Sequence, residues 1–473
     1  MDSEGAPPGK IERIPFKPDR LPLAETVDKI KKLENGDLLF LSHTAVIICE
    51  GDQKILCDLS PEGILVTNKK TGDPIDVYPT SLKDALMANQ ADKDKQLPPI
   101  LKVLKPFQQL VTKEPRSQQD WSMFVDVHGQ PVSPIEAAAQ IAPQINAISV
   151  SHLDPDHFNV EFLDQSVKNN PNLQIIVPLG FVREVAKYYN IPEVDSTNQN
   201  RPTLPENLIK KIKSLSPYNP RENSFDEHYG LEMHKTQIGN CRITSYEIPH
   251  MTLEYNQALL IQKDETEPGT LYLPDAALSP ESLKLVRQLS EDGKISRICL
   301  SIAKLQPDPM YDIVPLEFSK KVRDDSEEHL FHSAYIIPAM AAVTGDGVEI
   351  YIDHLGSFFR SSRDSQYLGY RLPIEDEQTA NKHRTEPDNF VTRWRWQFTD
   401  FINKMIDDPV YSNLPALTRS KDRQIAAKSN EGLSKRKDFS QSVIQYLTSN
   451  PIPREILSRI HIPGPNEVIK GHD

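Results

Sequence analysis

Four groups able to bind a metal ion crowd into six residues: His152, Asp154, Asp156 and His157, within Ser151-His152-Leu153-Asp154-Pro155-Asp156-His157-Phe158. Imidazole and carboxylate are good donors to zinc, manganese or iron. Residues two apart on a loop can aim at one ion while the next adjacent pair aims at a second. Only a non-helical segment gathers donors that densely, and the segment follows an apolar strand ending in Ser151. The plain alternative is a polar loop that holds two histidines. A metal site needs further ligands from distant parts of the chain, and the sequence offers them at strand ends. Asp58 ends Ile55-Leu56-Cys57, and His250 follows Ile243–Ile248. Asp275 ends Leu271-Tyr272-Leu273-Pro274, and His354 ends Glu349-Ile350-Tyr351-Ile352. Each alone reads as a strand-terminating polar residue. Together and in order they form the pattern of an active site built along one edge of a sheet sandwich.

The elements that must position these residues are legible in the hydrophobic pattern. Strands are expected at Asp37–Leu41, Ala45–Cys49 and Lys54–Asp58, with Gly51-Asp52 as the turn of a hairpin. Strand and helix then alternate: strand Asn146–Ser151, helix Val160–Asn169, strand Gln174–Val177 and helix Gly180–Tyr189. Strands Cys241–Glu247, Ala258–Gln262 and Thr270–Leu273 precede helix Pro280–Gln288, strand Arg297–Ser301, helix His329–Ala341 and strand Val348–Ile352. Mixed α/β order with hairpin-spaced strands implies sheets with helices outside them. Residues 1–36 read as an extension ending in a short helix around Ala24–Leu33, and residues 62–142 as an inserted cap. Beyond residue 360 the chain turns polar. Its clearest element there is a helix at Phe390–Ile406, with Phe390, Trp394, Phe398, Phe401, Ile402 and Met405 near helical spacing.

Composition narrows the function classes. With 38% hydrophobic and 26% charged residues, the chain is neither a membrane protein nor wholly disordered. Its net charge of −13 argues against a non-specific nucleic-acid binder, because phosphate neutralisation needs Lys and Arg. The basic cluster Arg419–Arg423 with Lys435-Arg436-Lys437 reads as a solvated face. The N-terminal residues 1–20 are polar and Pro-rich with no apolar signal-peptide core, and no apolar run is long enough to span a bilayer. Cys49, Cys57, Cys241 and Cys299 stand singly in apolar strands and read as buried hydrophobes in a reducing compartment. The expectation is a soluble cytoplasmic protein.

The ordered set of motifs resembles the metallo-β-lactamase fold superfamily. Within it, the pattern is most similar to the branch of N-acylphosphatidylethanolamine-hydrolysing phospholipase D and the ascorbate-phosphate lactonases. The resemblance is carried by Leu41-Ser42-His43-Thr44-Ala45-Val46-Ile47-Ile48, by Lys54-Ile55-Leu56-Cys57-Asp58, and by Ile145-Asn146-Ala147-Ile148-Ser149-Val150-Ser151-His152. Val177-Pro178-Leu179-Gly180 and Asp353-His354-Leu355-Gly356-Ser357-Phe358 complete it. It spans about residues 37–360, with 62–142 poorly covered. It implies a four-layer αββα sandwich of α/β class, with an inserted cap and a mainly helical C-terminal extension over 361–473. It also implies two divalent metal ions, zinc first with manganese or iron as alternatives. His152, Asp154 and His250 would hold one ion, Asp156, His157 and His354 the other, and Asp275 would bridge them. Asp58, with His43, would support the ligands from behind. Asp156 and His332 would take part in catalysis, the latter by polarising the substrate. A metal-bridging hydroxide would attack a phosphodiester, a lactone or a related ester.

Several positions depart from that pattern. The second metal-loop ligand is Asp154 rather than His, a harder donor that shifts preference toward manganese or iron. Pro274, Ala276 and Ala277 replace the small turn residues expected around Asp275, and Ser42 stands where the opening glycine belongs. The alternative reading is therefore a catalytically degenerate scaffold or binding protein on the same fold. The substrate is expected to be small or lipid-like, with no specific nucleic acid partner. The aromatic face of the Phe390–Ile406 helix is expected to dock onto the hydrolase domain or to pair in a homo-oligomer.

Overall fold

The computed structural model describes residues 20–41, 44–61, 65–67, 74–76, 122–152, 157, 159–177, 212–214, 234–248, 256–274, 280–301, 336–353, 378–379, 381, 390–412 and, with gaps, 438–471. Two sheets of seven strands dominate these residues. The first contains β1 (Leu38–Phe40), β2 (Val46–Glu50), β3 (Gln53–Cys57), β4 (Ala147–Ser149), β5 (Gln174–Val177) and β6 (Ile212–Ser214). The second contains β7 (His234–Ile238), β8 (Cys241–Glu247), β9 (Gln257–Gln262), β10 (Gly269–Leu273), β11 (Ile295–Ser301), β12 (Glu349–Asp353) and β13 (Ile460–His461). The last strand, β14 (Glu467–Ile469), returns to the first sheet and pairs antiparallel with β1.

Alternation along the strands decides how the sheets stack, because successive side chains point to opposite faces. In β2, Val46 and Ile48 join a core shared with Cys241, Ile243, Leu259, Ile261 and Tyr272 of the second sheet. Ile47 and Cys49, one residue out of phase, join a different core. That second core lies under helices α1 (Leu23–Lys31), α2 (Pro134–Ile141) and α3 (Val160–Asn169). A third core joins Leu271, Leu273, Ile298 and Leu300 to α4 (Pro280–Glu291), α5 (residues 336–343) and α6 (Phe390–Asp407). The order is helix, sheet, sheet, helix, as expected of an αββα sandwich. Both faces of each sheet are covered, which explains why the strands read as continuous apolar runs.

Most elements fall within a few residues of their sequence expectation, and α3 and β5 coincide with theirs. The β2–β3 hairpin turns on Gly51 and Asp52, with φ of 54° and 62°. That pair of positive φ values matches the right-handed twist of the flanking strands. The helix expected at Gly180–Tyr189 lies outside the described residues.

Three regions expected to be peripheral are built into the sandwich. Helix α1 places Leu23, Val27 and Ile30 in the core instead of standing apart as an extension. The end of the expected cap supplies α2, whose Ala137, Ala138 and Ile141 are fully buried. Ser133 and Glu136 cap that helix reciprocally, with Pro134 in its first turn. The C-terminal region supplies α6 and both closing strands. On α6, Trp394, Phe398, Ile402 and Ile406 recur every four residues and pack into the third core, so this face is spent within the chain. Between β13 and β14 the chain crosses from the edge of one sheet to the edge of the other. No described helix is long and apolar enough to cross a membrane.

Opposite charges join the two sheets at one edge of the sandwich. Arg297 of β11 meets Glu50 of β2 at 2.8 Å, and Thr270 donates to the same carboxylate at 3.1 Å. Arg297 also donates to the carbonyl of Gly36. Burial pushes the Glu50 pKa up, and the Arg297 guanidinium pulls against it. Removing one member of a buried pair leaves the other charge uncompensated, at a cost of about 3–5 kcal/mol. Glu50→Ala is therefore expected to lower unfolding free energy by about 3 kcal/mol in urea titrations. A loss under about 1 kcal/mol would show that water reaches Arg297.

Candidate metal centre

The opposite edge of the sandwich is where β3 and β4 end, and the decisive residue there is Asp58. It follows β3 with φ of 52°, in the left-handed region that Asp tolerates better than most residues. Its amide donates to the carbonyl of Ser149 at 2.9 Å. Its carbonyl accepts from the Thr44 hydroxyl at 2.9 Å. The backbone is thus held from both sides, and the side chain is aimed at the segment after β4.

The carboxylate is completely buried and fully engaged. Oδ1 accepts from the Ser151 amide at 2.6 Å. Oδ2 meets the Ser151 hydroxyl at 2.5 Å, His157 Nδ1 at 2.9 Å and the Tyr272 hydroxyl at 2.6 Å. Ser151 Oγ also lies 2.8 Å from His152 Nδ1. Proton counting fixes the roles. A hydroxyl carries one proton. Ser151 gives its proton to the Asp58 carboxylate, so toward His152 it can only accept. His152 Nδ1 must then carry a proton, and so must His157 Nδ1 to bond the carboxylate. Both imidazoles are set in the Nδ1–H form, which puts the basic lone pair on Nε2. Metal-ligating histidines are held in this way, with the second ring N–H donated to a carboxylate or another fixed acceptor.

The two rings lie side by side, with centroids 3.9 Å apart. Asp58, His152 and His157 each offer a donor atom, and the three atoms lie within 4.8 Å of one another. Both Nε2 atoms are buried. Two imidazoles and a carboxylate at this spacing are a donor set that suits a divalent ion. Asp58 is better suited to orienting than to ligating, because three donors already crowd its Oδ2.

The second sheet meets this edge directly. Strands β8, β10, β11 and β12 run in one direction, since β9 pairs antiparallel with both β8 and β10 and the rest of the set is parallel. Tyr272, next to last in β10, reaches Asp58, so the carboxyl ends of these strands share an edge with those of β3 and β4. Gln257 adds a second link, donating to the carbonyl of Val150 at 3.1 Å while accepting from Ser245 at 2.9 Å. Asn256 donates to the carbonyl of Pro274 at 2.9 Å, directly before Asp275. Sites in α/β folds typically form outside the carboxyl ends of strands.

Of the residues singled out in the sequence, the structure brings together Asp58, His152 and His157. His43, Asp154, Asp156, His250, Asp275, His332 and His354 lie outside the described residues. Tyr272, Thr44 and the side-chain role of Ser151 were not foreseen. Tyr272 did carry a signal, as the one polar aromatic in an otherwise aliphatic strand end.

The four cysteines are free and buried. Burial pushes the Cys49 and Cys241 thiols up to about 12. Burial, with the neighbouring Asp58 carboxylate adding to it, pushes Cys57 well up. These thiols are packing groups, not ligands.

No known family profile matches the chain, and neither does any curated protein. Solved structures do match. A "possible metal-dependent hydrolase" of Veillonella parvula is 9% identical, over 71% of this chain and 93% of that one, with a TM-score of 0.35. An isothiocyanate hydrolase from Delia radicum gut bacteria is 10% identical, over 92% and 98%, with a TM-score of 0.35. The metallo-β-lactamase fold protein YhfI of Bacillus subtilis is 9% identical, over 72% and 93%, with a TM-score of 0.31. At such scores these likenesses carry no weight for chemistry. The layer order rests on this chain's own strand pairing.

Two outcomes check the site. Asp58→Ala strands several buried donors, each charge-assisted bond contributing about 1.5–3 kcal/mol, so the variant should lose at least about 3 kcal/mol of stability in denaturant titrations. A near-neutral result would mean the network is not formed. Native protein should show no fast reaction with a thiol reagent such as dithionitrobenzoate, and urea should release four reactive thiols; rapid native labelling of any cysteine would contradict its burial.

Proposed function

We propose that the chain is a metal-dependent hydrolase with its active site at the Asp58 edge of the sandwich. The observation that supports this best is the pair of adjacent, buried imidazoles held in the Nδ1–H form by Asp58 and Ser151. Such a device leaves a basic Nε2 on each of two neighbouring rings, and polar packing alone does not call for it. The remaining ligands are proposed from sequence: Asp154 and His250 with His152 for one ion, Asp156 and His354 with His157 for the other, and Asp275 shared. His250, Asp275 and His354 each follow a described strand by no more than three positions. The donor set of His and Asp suits zinc, with manganese or iron favoured by Asp154.

Divalent ions held there would lower the pKa of bound water to about 7 and polarise a phosphoryl or carbonyl oxygen. The chain's own part is to keep the imidazoles neutral and aimed, and to exclude competing protons by burial. His332 is proposed to polarise the substrate, and Asp156 to orient the attacking oxygen. The substrate class proposed is a phosphodiester, lactone or related ester, small or lipid-like, on the resemblance to the phospholipase D and lactonase branch. The buried free thiols support a reducing, cytoplasmic setting.

Purified protein should contain metal in stoichiometric amount and hydrolyse bis-p-nitrophenyl phosphate or a simple lactone. Asp156→Ala and His157→Ala should each remove both properties while circular dichroism stays native. Retained hydrolysis in these variants would sink the assignment. A folded wild-type protein with neither metal nor activity would instead favour the degenerate scaffold.

A further inference from the structure

Tyr272 is completely buried, and its ring belongs to the core between the sheets. Its hydroxyl lies 2.6 Å from Asp58 Oδ2 and 3.3 Å from the carbonyl of Thr44. A phenol has one proton to give. The shorter contact is to the carboxylate, and hydrogen bonds to carboxylates are the shorter and stronger kind. The proton therefore goes to Asp58. This contact crosses from the second sheet to the first, and it reaches the same oxygen that holds His157.

We propose that Tyr272 is a positioning residue for the metal centre, acting on His152 and His157 through Asp58; this rests on the metal-site reading above. The geometry gives the reason. Oδ1 of Asp58 has its partner on the first sheet, at the Ser151 amide. Of the described donors to Oδ2, Ser151 and His157 belong to the same segment after β4. Tyr272 alone among them comes from the other sheet. It ties the carboxylate to strand β10, and Asp275, the proposed shared ligand, lies three residues further along that chain. One phenol thus sets the loop histidines of the first sheet relative to the ligands that follow the second sheet's strands. Loss of the hydroxyl leaves the ring in place, so packing between the sheets is retained. Asp58 would keep Ser151 and His157 on Oδ2, but its plane would no longer be fixed from the second sheet.

The test uses the full chain and zinc. Tyr272→Phe is compared with wild type by competition against a chromogenic chelator, and the metal-free proteins are compared by thermal unfolding. The expected result is a zinc affinity about 10–100-fold weaker, the usual cost of losing an outer partner of a metal site. The metal-free unfolding midpoint should fall by several degrees, as the loss of one buried bond to a carboxylate requires, while circular dichroism stays native. In an Asp58→Asn background, Tyr272→Phe should change zinc affinity less than about twofold, since the two residues act as one unit. Equal affinity in wild type and Tyr272→Phe overturns the proposal. So does the same loss in the Asp58→Asn background. If Asp58→Asn does not fold, the comparison of Tyr272→Phe with wild type decides alone. Wild type that binds no zinc strikes down the metal-site reading, and this proposal with it. Wild type that binds zinc no better than Tyr272→Phe strikes down this proposal only.

Discussion

The arrangement of the described molecule depends on one buried carboxylate. Asp58 has no exposed surface, and a buried charge is costly unless it is hydrogen-bonded on all sides. The fold supplies its donors from two places: the segment after β4, through Ser151 and His157, and Tyr272 of the opposite sheet. None of these can move without leaving the carboxylate short of a partner. A requirement for satisfied hydrogen bonds therefore fixes where the segment after β4 turns, which tautomer its histidines adopt, and how the two sheets meet at that edge. The left-handed backbone at Asp58 is part of the same constraint. Such a conformation costs about 1–3 kcal/mol and persists where its surroundings over-determine it.

A second polar link holds the far edge of the sandwich. Glu50, Thr270 and Arg297 join the sheets there, as Asp58 and Tyr272 do at the site. Between the two links lies an apolar slab that includes Val46, Ile48, Ile243, Ile261 and Cys299. Apolar contacts are non-directional and would tolerate small slides of one sheet over the other. Hydrogen-bonded charges at both ends remove that freedom, and a site shared between sheets needs them to. The closing segment adds to the effect. Strands β13 and β14 occupy the edges of different sheets, and Lys470 and Gly471 fasten to Asp37 beyond them.

Much of the architecture was legible because local patterns determine it. The turn at Gly51-Asp52, helix α3 and strands β5 and β8 follow from alternation, helical spacing and turn residues. Asp58, His152 and His157 stood out because metal-ligand types ended apolar strands in order. What the sequence hid was mostly non-local. Nothing beside Tyr272 in the chain says that its hydroxyl will meet a carboxylate 214 positions away. Glu50 reads as a hairpin end until Arg297 is placed opposite it. The C-terminal strands are two and three residues long, too short for periodicity to register, and they exist because exposed sheet edges need cover. Helix α2 was overlooked for a different reason. It is short and Ala-rich, and it followed a polar, Pro-containing stretch that set the reading for its neighbourhood.

Asp58 and Ser151 hold His152 and His157 as Nδ1–H imidazoles, and the proposed function requires Nε2 of each to meet a metal ion. Long-range proton–nitrogen NMR on protein labelled at its histidine rings tests this most directly, with and without zinc. Two rings should keep a protonated Nδ1 in the metal-free protein, and their Nε2 resonances should move on zinc addition. Both signatures should vanish in His152→Ala and His157→Ala respectively. Zinc bound through Nδ1 of either ring, or two rings that titrate freely and ignore zinc, would contradict it.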